Sequence, residues 1–175
     1  MVDLVILQTI STIAAATGVL VAATGYILNL RSAHRSRQTQ MFMQLYDHFH
    51  NTEFWRQYGD IIFNTDFTDS EDHWKKYGPN NLEAFANWMS FGTYFTGIGV
   101  LLRRDMIDIR LVEDLVGDYV IWVYRKWRTL IMSYDPKSKP QSIMWFEYLY
   151  EEVVKQRNKE GKKEPVPVSS PTVEI

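Results

Sequence analysis

The longest pattern in the sequence is an uncharged, apolar run close to its beginning. Residues 4–30, LVILQTISTIAAATGVLVAATGYILNL, contain no Asp, Glu, Lys or Arg. As a helix this run would be about 40 Å long, which exceeds the roughly 30 Å hydrocarbon core of a bilayer. The pattern therefore predicts one transmembrane helix within an N-terminal segment of residues 1–30.

The charges that flank the run are arranged in the reverse of a secretory signal peptide, in which basic residues precede a short apolar core. Here Asp3 precedes the run, and Arg31, Arg35 and Arg37 follow it. Because basic flanks remain on the cytoplasmic side, the sequence predicts a single-pass protein of the cell membrane. Its N-terminus would lie outside and its C-terminal body in the cytoplasm.

The same three arginines have two interpretations. At the headgroup level of the bilayer, Arg31, Arg35 and Arg37 would contact anionic lipid. The simpler interpretation is that they fix the topology and do nothing more.

Small residues recur inside the apolar run at alternating spacings of four and three. On a helix such positions share one face, along which a second membrane helix can approach closely. The pattern predicts a helix-packing interface, and with it a homo-oligomer or a partner membrane subunit. The plainer interpretation is that Ala and Gly are frequent in membrane helices. The predicted interface consists of Ser11, Ala15, Gly18, Ala22 and Gly25.

Beyond residue 30 the apolar residues repeat at helical spacing, and no segment shows the period of two that is typical of a strand. The first helix is expected to continue to about Asn51. The sequence predicts an all-α fold in which the transmembrane helix continues into a cytoplasmic bundle of about four to five helices. This helical domain would cover residues 31–157, and residues 158–175 would form a disordered tail.

Cap residues and turns give the expected helix starts. The predicted starts after the first helix are Asn51 or Thr52, Ser70, Asn80 or Asn81, Asp108 and about Gln141.

The segment Phe85–Leu102 is also uncharged, so a second membrane span has to be considered. Its Asn, Ser, Thr and Gly residues make it only weakly apolar, and its aromatic residues fall on one face. A second span would also place Arg103 and Arg104 outside. We therefore predict a buried helix of the body.

The order of several motifs resembles an uncharacterised prokaryotic, largely archaeal family, domain of unknown function 4760. The resemblance covers most of residues 1–155 and implies an N-terminal membrane anchor with a cytoplasmic helical domain. It implies no catalytic or ligand-binding residue. The motifs are RSAHRSRQTQMFMQLYDHF after the apolar run, EFW at 53–55, YFTGIGVLLRRDMIDIRLVEDLVGDYV at 94–120 and FEYLY at 146–150.

The composition excludes several kinds of catalytic and binding site. The chain has no cysteine, which excludes thiol catalysis, cysteine-based zinc sites, iron–sulfur clusters and disulfides. Its net charge of −2 gives no general attraction to nucleic acid. Basic and aromatic residues do interleave at 124–128, YRKWR, but they lie within a predicted buried helix rather than on a stacking platform.

The titratable clusters lack catalytic or metal-binding spacing. His48 and His50 are two residues apart, so on a helix they point away from each other. The acidic stretch 66–72 lacks the pattern of a calcium loop. Carboxylates on the fourth main helix are expected to form a solvated acidic face; they are Glu113, Asp114 and Asp118. No catalytic residue, metal ligand or cofactor is predicted.

These observations favour a non-enzymatic, membrane-anchored helical protein that acts by interaction, as an oligomer or as an accessory subunit of a membrane complex. One alternative is a membrane-tethered hydrolase or metal-dependent enzyme that uses Asp and His side chains. Another is a regulator that reads anionic lipid through residues 31–37.

Overall fold

The computed structural model describes residues 4–165, and all regular structure in this range is helical. The predicted all-α fold, with a long apolar N-terminal helix followed by a helical bundle, is confirmed. The elements are α1 (Leu4–Phe49), α2 (Thr52–Gly59), a π-helical turn (Asp60–Asn64), α3 (Ser70–Tyr77), α4 (Leu82–Arg103), α5 (Ile109–Met132) and α6 (Gln141–Lys159).

The chain divides into two compact units, Met1–Gln40 and Met41–Ile175. In the first unit the structure describes the part of α1 that begins at Leu4. This helix is long and apolar enough to cross a membrane, and none of its apolar portion is buried. It is the one helix of the described residues with these properties.

Short polar side chains begin four of the helices of the second unit, because their oxygens accept hydrogen bonds from backbone N–H groups that the first turn leaves free. Asn51 accepts from the N–H of Glu53 at 2.9 Å, and Asp69 accepts from that of Asp72 at 2.9 Å. The corresponding caps of α4 and α5 are Asn81 and Asp108. The starts of these helices agree with the sequence prediction.

The turn between α4 and α5 depends on one residue with left-handed backbone geometry. Asp105 has a φ of 54°, which Asp tolerates better than most residues other than Gly. The N–H of Asp105 donates to the carbonyl of Leu102 at 3.0 Å, and that of Met106 donates to Leu101 at 2.9 Å. This is the hydrogen-bond pattern of a Schellman motif, which ends α4 and redirects the chain into α5.

The core of the second unit is formed mainly by α4, α5 and α6, and it is rich in aromatic side chains. The segment Phe85–Leu102 belongs to this core, and its residues Phe91, Phe95 and Ile98 are completely or almost completely buried. α5 and α6 contribute aliphatic residues such as Val120 and Leu149, neither of which is exposed. The prediction of a buried helix at this position agrees with the packing.

One of the two glycines of α4 that face neighbouring helices is required by close packing. A Cβ atom at Gly99 would lie 2.2 Å from the backbone carbonyl oxygen of Trp145 in α6, so no larger residue fits without a shift of the helices. A Cβ at Gly92 would lie 3.4 Å from the ring of Trp127 in α5, which is an ordinary contact. The closest approach of α4 and α6 therefore requires glycine at position 99.

The helical body extends beyond residue 157. α6 continues to Lys159, and the following residues Lys162 and Glu164 form ion pairs with side chains of α5. Of the tail predicted for residues 158–175, residues 166–175 lie outside the described residues.

Replacing Gly99 with Ala is expected to destabilise the body by about 1–3 kcal/mol, because the added methyl group overlaps the Trp145 carbonyl. Gly97→Ala is the matched control on the same helix, since a Cβ there meets nothing within 4 Å. The control should be neutral or stabilising by up to about 1 kcal/mol, as expected for Gly→Ala in a helix. Denaturant unfolding of the full chain in mild detergent measures both. Equal stabilities of the two variants would contradict the proposed close contact.

Candidate functional site

The predicted interface residues form one continuous face of α1. At 100° per residue they lie within an arc of about 80°, and they extend over about 21 Å of helix. All of them are exposed except Gly25, which is half-buried. A Cβ atom at Gly18 or Gly25 would meet nothing within 4 Å, so no other part of the described chain covers the centre of this face. We call Ser11, Ala15, Gly18, Ala22 and Gly25 the small-residue face.

Three threonine hydroxyls within the apolar part of α1 form hydrogen bonds to the helix itself. The hydroxyls of Thr12, Thr17 and Thr24 each donate to the carbonyl four residues earlier, at 2.8–2.9 Å. Such bonds hide the hydroxyl from its surroundings, which matters where no water is available. These threonines are therefore compatible with a hydrocarbon environment.

The three arginines after the apolar run are exposed, and none forms an ion pair within residues 4–165. Arg31 and Arg35 are four residues apart and share one side of α1. Arg37 is two residues further on, so it projects about 200° away from Arg35. The helix thus places positive charge on two sides within about 9 Å of its length.

The acidic residues of α5 were predicted to form a solvated face, and this prediction is wrong for Glu113. Its side chain is almost completely buried, because it faces α6 and is paired there with Arg157 at 2.7 Å. Asp118 pairs with the same guanidinium, while Asp114 remains exposed. Burial alone would lower the pKa of Arg157, but the hydrogen bonds to Asp118 and Glu113 outweigh it and raise the pKa overall.

Three carboxylates in this region are close enough to hold a metal ion, namely those of Glu113, Asp114 and Glu160. However, the ammonium group of Lys162 already contacts all three, at 2.8 Å from Asp114 and 2.7 Å from Glu160. Its hydrogen bonds to them raise the pKa of Lys162, so it remains charged. The cluster is an ion-pair network that joins α5 to the end of α6.

His48 and His50 have different surroundings. His48 stacks on Tyr94 of α4, with ring centroids 4.3 Å apart, and burial lowers its pKa. His50 follows the end of α1 and its Nδ1 lies 3.2 Å from the carbonyl oxygen of Tyr46. The structure does not bring the two imidazoles to a common site.

The acidic stretch 66–72 is used for local structure. Asp69 caps α3, and Asp72 accepts a hydrogen bond from Lys76 at 2.8 Å. Lys76 also donates to the backbone carbonyl of Asp66 at 3.1 Å. These carboxylates therefore stabilise α3 and the loop before it.

The aromatic residues of the segment 124–128 belong to the core, as the helical pattern predicts. Tyr124 stacks on Tyr150 with centroids 3.8 Å apart, and Trp127 stacks on Trp88 at 4.8 Å. Arg125 extends to the surface and forms an ion pair with Glu164. The aromatic rings are therefore not available as a platform for nucleic-acid bases.

The sequence did not single out His73, yet it is the most deeply buried histidine of the described chain, with 2% of its surface exposed. It lies on α3 in an edge-to-face arrangement with Trp88, with ring centroids 4.3 Å apart, and beside Phe67 and Tyr77. Neither ring nitrogen has a hydrogen-bond partner among the described residues. The one feature of the sequence that could have indicated its burial is its position one helical turn before Tyr77.

Comparison of the chain with protein-family models, curated proteins and solved structures gives no match.

The stability of the body is expected to fall as the solution becomes acidic. Burial lowers the pKa of His73 below its ordinary value of 6.5, while the charge of Asp72 opposes this shift. The unfolded chain therefore takes up the proton at a higher pH than the folded chain, and acidification below about 6.5 favours unfolding until the folded pKa is reached. The buried imidazole is neutral above this range.

Acidification from about pH 7.5 to about pH 5 lowers the free energy of unfolding in part because His73 is protonated in the unfolded chain. We expect His73→Phe to remove this contribution. His34→Gln, which replaces an exposed histidine of α1, is the control for the loss of a histidine outside the core. The measurement is the denaturant midpoint at both pH values. If His73→Phe and the parent lose the same stability on acidification, His73 is not the group responsible.

Proposed function

We propose that this chain is a single-pass, membrane-anchored helical protein that acts by association, as a homo-oligomer or as an accessory subunit of a membrane complex. The observation that carries this proposal is the most apolar stretch of α1, which is long enough to span a membrane and is not buried by the chain. Apolar surface on this scale is costly in water, so lipid or another protein must cover it. Membership of domain of unknown function 4760 stays a prediction, and it would add no specific role.

The small-residue face supports association within the bilayer. In lipid, helices are held together by close van der Waals packing rather than by the hydrophobic effect, and small side chains allow the backbones to approach. The open space around Gly18 and Gly25 leaves room for a second helix at this face. Large residues such as Leu20 and Ile27 lie on the opposite side of α1 and would contact lipid.

Replacing Gly18 with Leu is expected to weaken self-association or partner binding in the membrane by about tenfold, because the larger side chain separates the helices. Ala16→Leu is the matched control: it adds similar bulk two residues away, on the other side of α1. Energy transfer between labelled chains in bilayers reports self-association, and mild-detergent extraction followed by mass spectrometry reports partners. A stable monomer without partner proteins in the parent chain would contradict the proposal.

The orientation that we propose places the N-terminus outside the cell membrane and the second unit in the cytoplasm. It rests on the positive-inside rule, since Arg31, Arg35 and Arg37 all follow the apolar run. All three are exposed, which leaves them free to contact anionic headgroups. Lipid contact is thus part of the anchoring that we propose, rather than a separate sensing function.

A single engineered cysteine tests the orientation, because the natural chain has none. In the Ser138→Cys variant the label site lies in the exposed loop between α5 and α6. A membrane-impermeant maleimide should label it only after the cells are permeabilised. Replacing the three arginines with Gln should invert a fraction of the chains, whereas Arg103→Gln with Arg104→Gln should not. Full labelling of the parent in intact cells would overturn the orientation.

An enzymatic role is less well supported by the geometry. The acidic clusters around Glu113 and Asp72 are ion-paired with lysine or arginine, and His73 lies among aromatic rings. The described residues therefore offer no convergent Asp and His side chains of the kind that a hydrolase or a metal-dependent enzyme uses.

A further inference from the structure

The second unit contains a cavity of about 320 Å³ between α3, α4, α5 and the beginning of α6. Its inner wall is formed by the buried rings of Trp88, Trp127 and Phe146. Its mouth includes residues that are exposed, among them Trp74 and Thr93. His73 and Gly92 also line it.

The wall contains no Asp, Glu, Lys or Arg. A charged ligand would lose part of its hydration in such a cavity, and the wall has no opposite charge to compensate for that loss. Aromatic side chains dominate instead, and their rings favour offset-stacked or edge-to-face contact with another ring. The chemistry of the wall therefore selects an uncharged, flat ligand.

Hydrogen-bonding capacity within this wall is unused. Both ring nitrogens of His73 and the Nε1 of Trp127 are buried without a hydrogen-bond partner among the described residues. Because burial lowers the pKa of His73, its imidazole is neutral, with one nitrogen that donates and one that accepts. Both residues line the cavity, which places this unused hydrogen-bonding capacity at its wall.

We propose that this cavity binds a small uncharged molecule with one or two fused aromatic rings and a hydroxyl or amide group. The rings would pack against Trp88 and Trp127 where these indoles line the cavity, and the polar group would hydrogen-bond to His73. The volume is at the lower end of the range for ligand pockets, which sets the size of the ring system. This binding is independent of the association proposed for α1.

The cavity can be filled or closed by substitution on α4. Gly92→Leu places its side chain next to the ring of Trp127, inside the cavity. Thr93→Trp adds bulk at the exposed mouth, where it should not disturb the fold. Gly97→Leu is the matched control, because position 97 is exposed, a Cβ there meets nothing, and the residue does not line the cavity.

The test uses the full chain in lipid nanodiscs and the neutral fluorophore N-phenyl-1-naphthylamine. The parent and Gly97→Leu should show a saturable fluorescence increase at one probe per chain, above the partition into lipid that all samples share. Gly92→Leu and Thr93→Trp should each weaken this component at least about tenfold. No saturable component in the parent, or equal binding by all four proteins, would overturn the proposal.

The role of His73 is tested with a pair of competitors that differ by one hydroxyl, 2-naphthol and naphthalene. The parent should bind 2-naphthol about fivefold to tenfold more tightly, as expected for one additional hydrogen bond. In His73→Phe this preference should disappear, while naphthalene still displaces the probe. A preference that is unchanged in His73→Phe would overturn the contact with His73.

Discussion

The helical body depends on the close approach of α4 and α6. Gly99 allows the backbone of α4 to contact the carbonyl of Trp145, and this brings Phe95 and Leu149 into a position where neither is exposed to solvent. α5 packs against the same two helices through Trp127, whose ring contacts Trp88 of α4 and Phe146 of α6. The three longest helices of the unit are thus fixed around one aromatic and aliphatic core, and the shorter helices α2 and α3 pack onto it.

Two buried polar groups of the body differ in whether they have hydrogen-bond partners. Where α5 meets the end of α6, the carboxylate of Glu113 is paired with Arg157 and Lys162, so that its desolvation is offset by charge-assisted hydrogen bonds. Beside α3, the imidazole of His73 has no such partner and is kept neutral among aromatic rings. The first arrangement stabilises a helix contact. The second leaves hydrogen-bonding groups available beside a cavity.

The first unit follows a different physical rule, because its apolar side chains are not covered by the chain. Hydroxyls of its threonines bond to the carbonyls of their own helix, and no charged residue lies between Asp3 and Arg31. The apolar side chains of such a helix require an apolar environment, and the arginines at its basic end require a polar environment. These requirements are met together at a membrane, and they are the basis of the anchoring and association that we propose.

The sequence by itself determined those features that depend on local order along the chain. The uncharged run identified α1 as a candidate membrane helix, the caps Asn81 and Asp108 located the starts of α4 and α5, and helical spacing identified the buried face of α4. Each depends on residues within a few turns of one another.

Only the tertiary structure decided which distant side chains meet. Glu113 looked like part of a solvated face because its partner Arg157 lies 44 residues away on another helix. The sequence did not single out His73, because the rings around it come from different segments of the chain. The cavity exists only because α3, α4, α5 and α6 pack imperfectly at one end of the core. The spacing of apolar residues along the chain does not predict such a cavity. Its size depends on how completely the side chains of different helices fill the space between them.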